Sequence, residues 1–179
     1  LQKYNSFGTM AVAKLFCEPQ NQKELSEVLN AFPNEKKLVL GAGYNLFFTK
    51  DFDGLIIKPG MKEINIIFEN ENYVEIEAGA SVEWDILVGK CVSKGYSGIE
   101  NLSLIPSSVG ASPIQNIGAY GTEAKDTIVL VKAVDNETGD IREFTNEECE
   151  FGYRDSLFKR TCKYTIISVV FRLSKSFNY

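Results

Sequence analysis

The chain has 179 residues, of which 44% are apolar and 24% charged, with a formal net charge of -5. That length suits one ordinary domain or two small ones around a real hydrophobic core. The mildly acidic balance offers no electrostatic footprint for nucleic acid, and no apolar run is long enough to span a membrane.

The opening LQKYNSFGTM has no apolar core segment of the kind a signal peptide needs, so a cytoplasmic location is the expectation. AVAKLFCEP (11–19) alternates and stops at Pro19, which predicts a strand. Asn21 and Glu24 then form an Asn-x-x-Glu cap. Leu25, Val28, Leu29 and Phe32 follow at helical spacing, and Pro33 ends the pattern. KLVLGAG (37–43) and GLIIKP (54–59) read as two further strands. Residues 1–60 thus form a small α/β unit, with a boundary near Pro59 to Lys62.

A second unit is expected over 61–179. INIIFEN (64–70) and YVEIEAG (73–79) predict a hairpin around Glu71 and Asn72. Ser81 is a candidate cap for a helix whose buried face is Trp84, Leu87, Val88 and Cys91. Glu83 and Asp85 suit its start, Lys90 and Lys94 its end, and Gly95 its closure. After a long stretch of small residues comes TIVLVKAVDNETGDIREF (127–144), a hairpin turning at Asn136 to Gly139. A polar segment with Arg154 and a strong strand, YTIISVVFRL (164–173), complete the pattern. The chain then runs into KSFNY with no closing element, which hints at a fragment.

The composition narrows the chemistry. There is no histidine, and Cys17, Cys91, Cys149 and Cys162 form no CxxC pair. A zinc site is therefore not expected, and the thiols read as reduced and mostly buried. Acid–base work falls to Asp, Glu, Lys, Tyr, Cys, Ser or a cofactor.

Three segments can carry function. In LGAGYN (40–45), Gly41 and Gly43 flank one small residue at a strand end. Such a turn either grips phosphate with free N–H groups, helped by Asn45, or simply reverses the chain. It is neither a P-loop nor a Rossmann fingerprint, since no GK[ST] and no third glycine follow. IPSSVGASPIQNIGAYG (105–121) is nearly uncharged and long for a structureless connection. Gly110, Gly118 and Gly121 supply turns, Pro106 and Pro113 stiffen it, and Gln115 and Asn116 offer amides. It is either the lining of an extended ligand or a closely packed connector. In FGYRDSLFK (151–159), Arg154 either holds a carboxylate or phosphate or pairs with Asp155 or Glu150.

Taken together, NSFG (5–8), LGAGYNLFF (40–48), ENLSLIPSSVGASPIQNIGAYG (100–121) and CEFGYRDSLFK (149–159) resemble the UDP-N-acetylenolpyruvoylglucosamine reductase family, type I branch. The resemblance covers nearly the whole chain in order and spacing. It implies an α+β fold of the vanillyl-alcohol-oxidase FAD-binding type, with FAD between two α+β subdomains. By residue, it implies cofactor contacts from Leu40, Gly41, Ala42, Gly43, Tyr44, Asn45 and Leu46 at the pyrophosphate. Pro106, Ser107, Val109, Gly110, Ala111, Ser112, Ile114, Gln115, Asn116, Gly118 and Ala119 are implied along the pyrophosphate, ribityl chain and isoalloxazine. Tyr120, Tyr153 and Arg154 are implied at the substrate, with Arg154 catalytic. No metal is implied.

The implied reaction belongs to peptidoglycan synthesis. NADPH reduces FAD, and the flavin passes the hydride to UDP-N-acetylglucosamine enolpyruvate, giving UDP-N-acetylmuramate. In the family a serine donates the proton, and it lies with a catalytic glutamate beyond the position of Tyr179. The chain therefore reads as the FAD-binding portion, inactive alone and monomeric, without the C-terminal substrate-binding domain. Another flavin oxidoreductase of the same fold, such as an oxidase, or a non-catalytic flavin module are the alternatives. Three positions depart from the family pattern: Ser107 replaces a usual Gly, Ala111 a Gly or Ser, and Tyr44 a common Ser. Tyr44 is the bulkiest change beside the expected pyrophosphate.

Overall fold

A computed structural model describes residues 1–176; the end of KSFNY, residues 177–179, lies outside them. Strand β1 (Ala13–Cys17) leads into helix α1 (Gln22–Ala31), then β2 (Lys37–Val39) and β3 (Phe52–Ile57). The cap works as its residue types require. Asn21 Oδ1 accepts the Glu24 N–H at 3.0 Å, while the Glu24 carboxylate reaches back to the Gln20 N–H at 2.8 Å. The three strands form one parallel sheet in the order β1-β3-β2, so the last strand in sequence lies in the middle.

The second sheet has five antiparallel strands. β4 (Ile64–Glu69) and β5 (Tyr73–Gly79) form the first hairpin, where Asn70 Oδ1 accepts the N–H groups of Asn72 and Tyr73. Helix α2 (Trp84–Ser93) follows. Ser81 does not cap it. The N-cap is Glu83, which makes no side-chain cap bond, and the Ser81 N–H is already donated to Met61 O. Gly95 closes the helix at φ 75, its N–H bonding Val92 O while the Tyr96 N–H bonds Cys91 O, the double bond of a Schellman end.

A two-residue hairpin, β6 (Gly118–Ala119) and β7 (Thr122–Glu123), closes the small-residue stretch. β8 (Ile128–Asp135) and β9 (Ile141–Thr145) form the last hairpin. Its turn is held by Asp135 Oδ1, which accepts the N–H groups of Glu137 and Thr138. A short helix α3 (Leu157–Thr161), hidden in the polar segment, precedes β10 (Tyr164–Ser174). The sheet order is β4-β5-β10-β8-β9: the final strand inserts between the two hairpins and joins them.

The core follows from this insertion. One face of the large sheet buries Val74, Ile76, Val131, Val169 and Phe171 against Trp84, Leu87, Val88 and Cys91 of α2. Each such Val or Leu contributes about 1.5–3 kcal/mol by leaving water. A smaller cluster packs Leu25 and Leu29 of α1 on Leu55 and Ile57 of the parallel sheet. Val134 of β8 belongs to it too, and Ile167 packs against it from β10. Ile167 lies at a register break between Ile166 and Ser168. Such a bulge re-aims one side chain and lets the small sheet dock on the large one through α1.

Burial pushes the Cys17 and Cys91 thiols up to about 11 and Cys149 up to about 12. All four cysteines are free, and at neutral pH those three are packing groups rather than nucleophiles. Among the described residues no group of three or more Asp, Glu or Cys is placed to hold a metal. No described helix is long and apolar enough to cross a membrane.

Candidate functional site

Two walls of small residues meet on this scaffold. The first is the loop after β2. Leu40 is buried and its N–H bonds Ile57 O at 2.8 Å, which fixes the point where the sheet ends. Gly43 turns the chain at φ 78, and a Cβ there would collide with the carbonyl of Tyr4. The N-terminal segment therefore lies directly on the loop. Ser6 donates its N–H to Gly43 O (3.2 Å) and its hydroxyl to Tyr44 O (3.0 Å). Asn5 is buried and fully bonded, donating to Leu1 O and Thr9 O while its own Oδ1 accepts the Thr9 N–H and hydroxyl. NSFG thus braces the first wall, a role its sequence alone does not reveal. Among the described residues, the main-chain N–H groups of Gly41 to Asn45 donate to no protein acceptor. A run of free N–H groups on a tight turn is an anion nest. Ala42, Tyr44 and Asn45 are exposed around it and Leu46 is partly buried.

The second wall is the stretch 105–119. Its near end is knitted to the start of α2. Trp84 N–H bonds Ser107 O (3.0 Å), Val109 N–H bonds Val82 O (2.9 Å) and Gly110 N–H bonds Ala80 O (2.9 Å). The Trp84 indole N–H holds Leu102 O at 2.8 Å. Asp85 Oδ1 accepts the Leu104 N–H (2.7 Å) and the Ser103 hydroxyl (2.9 Å), and these two bonds hold its carboxyl below the usual aspartate range. They also hold Leu104 in the left-handed region at φ 62 with its side chain in solvent, while Pro106 beyond it is exposed. Of the glycines expected to supply turns here, only Gly121 has a positive φ. Gly110 and Gly118 serve a different purpose, leaving room for Ala80 and for Thr122 and Glu123.

The far end is clamped by the FGYRDS segment. Asn116 is fully buried at φ 43; its Nδ2 donates to Gly152 O (3.1 Å) and its Oδ1 accepts the Lys125 N–H (3.0 Å). The buried Ser156 donates to Ile114 O at 2.7 Å and caps α3. Arg154 donates to Gly118 O at 2.6 Å and to Asn116 O at 3.4 Å. The carboxylates expected as its structural partners belong to a neighbour instead: Asp155 and Glu150 both pair with Arg160, at 2.5 Å each. Arg160 accordingly holds the Asp155 carboxyl below its ordinary value. Among the described residues Arg154 has no ion pair, and three of its five N–H groups have no protein acceptor.

Tyr120 is the first residue of the two-residue β6–β7 turn, with φ 51 followed by Gly121 at 81, as a type I′ hairpin requires. Its side chain is 90% exposed, and that of Tyr153, beside the Arg154 guanidinium, is 86% exposed.

The walls meet at Gly41. A Cβ there would lie 3.1 Å from Ser108 Oγ and 3.4 Å from the Ala111 Cβ. The structure thus brings Gly41 to Ala111, and Arg154 to Asn116 and Gly118. Ser112 is buried and self-satisfied through Val109 O, while Gln115 and Ala119 are partly buried along the stretch. Asp85 does structural work that no sequence motif marks, while Asn5 and Ser156, inside NSFG and FGYRDS, do structural work that those motifs do not announce. The arrangement suits an extended anionic ligand: small side chains, free N–H groups on the first wall and an unpaired guanidinium at the far end.

The comparisons with known proteins follow this geometry. The family described as FAD binding domain matches residues 13–145. A UDP-N-acetylenolpyruvoylglucosamine reductase of Flavobacterium johnsoniae is 45% identical over 177 residues, which is 98% of this chain and 52% of that protein. One of Amoebophilus asiaticus is 45% identical over 179 residues, 98% of this chain and 53% of that protein. The chain spans about half the length of the curated relatives it matches. Among solved structures, the UDP-N-acetylenolpyruvylglucosamine reductase of Thermus caldophilus superposes with a TM-score of 0.79 at 24% identity, over 96% of this chain and 59% of that one. The 6-hydroxy-D-nicotine oxidase of Arthrobacter nicotinovorans gives 0.66 at 16%, over 93% and 37%. At such identities these neighbours show the fold alone, the α+β flavoprotein fold of the vanillyl-alcohol-oxidase type. With the family matched over most of its length, the chain belongs to the FAD binding domain family.

Proposed function

We propose that this chain is the FAD-binding portion of an NADPH-dependent reductase that converts UDP-N-acetylglucosamine enolpyruvate to UDP-N-acetylmuramate. The observation that carries the reading is the site's two ends: free N–H groups at Gly41 to Asn45, and an arginine without a carboxylate at Arg154. The residues fit FAD. The nest at Gly41–Asn45 would hold the diphosphate, with Leu40 and Leu46 at its shoulders. Pro106, Ser107, Val109, Gly110, Ala111, Ser112, Ile114, Gln115, Asn116, Gly118 and Ala119 would line the rest. Bound FAD supplies the hydride carrier between NADPH and the substrate.

Arg154 then has a defined task. Negative charge grows on the carbon beside the enolpyruvyl carboxylate, and on the carboxylate itself, as hydride arrives at the methylene carbon of the double bond. A guanidinium fixed by Gly118 O and Asn116 O meets that charge without reorganising, and so favours the transition state over the ground state. Tyr153 lies beside it, and Tyr120 and Tyr153 would be the substrate contacts. The residue that protonates the product is assigned to the portion of the relatives outside the matched half. We place the protein in the cytoplasm, as a monomer.

The test has two stages. Titration of the chain with FAD should give saturable one-to-one binding and no turnover with NADPH and the enolpyruvyl substrate. Joining it to the remaining half of the Flavobacterium relative should restore NADPH oxidation. Arg154→Ala in that fusion should cut turnover by about 100-fold or more, with much less change in FAD affinity. Equal loss of both would sink the catalytic role. Rapid reoxidation by oxygen in place of substrate reduction would point to an oxidase instead.

A further inference from the structure

We infer that Cys162 is a modification site, whose thiol exchanges with small acidic, peptide-like disulfides held in a groove between the start of β2 and the α3–β10 link. The groove measures about 400 Å³, within the range of small-molecule sites. Glu35 and Lys37 line one side, and Asn136, Cys162 and Lys163 line the other. None of these residues belongs to either wall described above.

Cys162 is the one exposed cysteine of the four. It ends α3 at φ 51, and its thiol donates to Lys159 O at 3.4 Å. Burial pushes the other three thiols up to about 11 or 12, so at neutral pH they offer almost no thiolate, the form that attacks a disulfide. Two further groups say what the groove takes. Asn136 is 8% exposed, and its Oδ1 accepts the Thr165 hydroxyl at 2.6 Å. Its Nδ2 donates to no acceptor among the described residues, yet it is not sealed in the interior, so the free donor opens on the groove. A nearly buried amide with an open donor suits a ligand carbonyl or carboxylate oxygen. Lys37 supplies charge. Its Nζ donates to Pro33 O (3.0 Å) and Glu35 O (3.4 Å), and it has no carboxylate partner among the described residues. Glu35 is taken by Lys14 at 2.7 Å, and Lys163 by Asp135 at 3.1 Å. Lys37 is therefore the lining cation left for a ligand carboxylate. A thiol compound that carries carboxylates and amides meets all three groups.

The exchange balances with the small disulfide as its own oxidant. The Cys162 thiolate attacks one sulfur, and a protein–ligand S–S bond forms as the ligand's S–S bond breaks. The departing half leaves as a thiolate and takes up the proton that Cys162 lost. The Cys162 sulfur is oxidised and the departing sulfur reduced.

The experiment treats the chain with oxidised glutathione and, separately, with uncharged hydroxyethyl disulfide, and mass spectrometry locates and times the adducts. Oxidised glutathione should give a single adduct, on Cys162, and none in Cys162→Ser. Lys37→Gln should slow that reaction by about fivefold, the size of one exposed charge pair, and leave the hydroxyethyl disulfide reaction unchanged. High salt should do the same to the parent. Asn136→Ala should act in the same direction. It also strips Thr165 of its acceptor, so Lys37→Gln carries the test where Asn136→Ala fails to fold. Adducts on Cys17, Cys91 or Cys149 in place of Cys162 would overturn the inference. So would a Lys37→Gln variant that slows neither disulfide or slows both alike, since Cys162 would then be an exposed thiol without a site.

Discussion

The two walls of the site use the same small residues but are held in different ways. The second wall is tied at both ends into the large core: Trp84 and Asp85 grip its start, and Asn116, Arg154 and Ser156 clamp its end. The first wall hangs from a three-residue strand and is braced by the N-terminal turn, through two bonds from Ser6 and a close approach of Tyr4. Its N–H groups stay free, while many polar groups of the second wall are spent on structure. The contrast makes one side tightly bonded to the core and the other loosely held, and so the one a bound ligand would order. Segments with few internal bonds are the ones whose order a ligand changes.

The largest test of that contrast is Asn116→Ala. It strands the Lys125 N–H, removes one of the two bonds to Gly152 O and leaves alanine at φ 43. The expected loss is about 3 kcal/mol of global stability, read by denaturant unfolding without flavin. Gly43→Ala comes next. Its Cβ meets the Tyr4 carbonyl at φ 78, so the first wall must shift. We expect a smaller loss, about 1–2 kcal/mol, with FAD affinity falling by about tenfold. A loss as large as that of Asn116→Ala would erase the distinction between the walls.

The smallest effect is a pH dependence at Asp85. Its carboxyl is held below the ordinary value of 3.8 by the Leu104 N–H and the Ser103 hydroxyl. A depressed carboxylate stabilises the folded state above its ordinary value, and that contribution is lost as pH falls through the lower folded value. Asp85→Asn should therefore lower the melting temperature slightly at neutral pH and converge on the parent in acid. A gap that stays constant with pH would mean that the charge on Asp85 does not matter to the second wall.

Several parts of this structure are legible locally. Asn21 and Glu24 mark the start of α1, Gly95 marks the end of α2, and Asn136 to Gly139 mark a turn, because each residue acts on backbone groups within a few positions. Ser81 misleads because a distant segment sets the helix start: the bridge of Glu83 to Ser108 keeps the chain extended past Ser81, and the first turn begins at Trp84. Helix α3 and the β6–β7 hairpin are too short to carry a periodic signal. For Arg154, the neighbouring Asp155 is the obvious partner by sequence, and Arg160 takes it in three dimensions.

By itself, the sequence determined the two longer helices and the longer strands, the apolar face of each of those helices, and the family that its motifs resemble. Those follow from periodicity and from residue types acting over a few positions. Only the tertiary structure decided that β10 enters between β5 and β8, that Ile167 bulges toward α1, and that NSFG underlies the loop at Gly43. Pairings across 36 to 42 residues, such as Arg154 with Gly118 and Ser156 with Ile114, leave no local trace. Their energy exists only once distant segments have closed on one another.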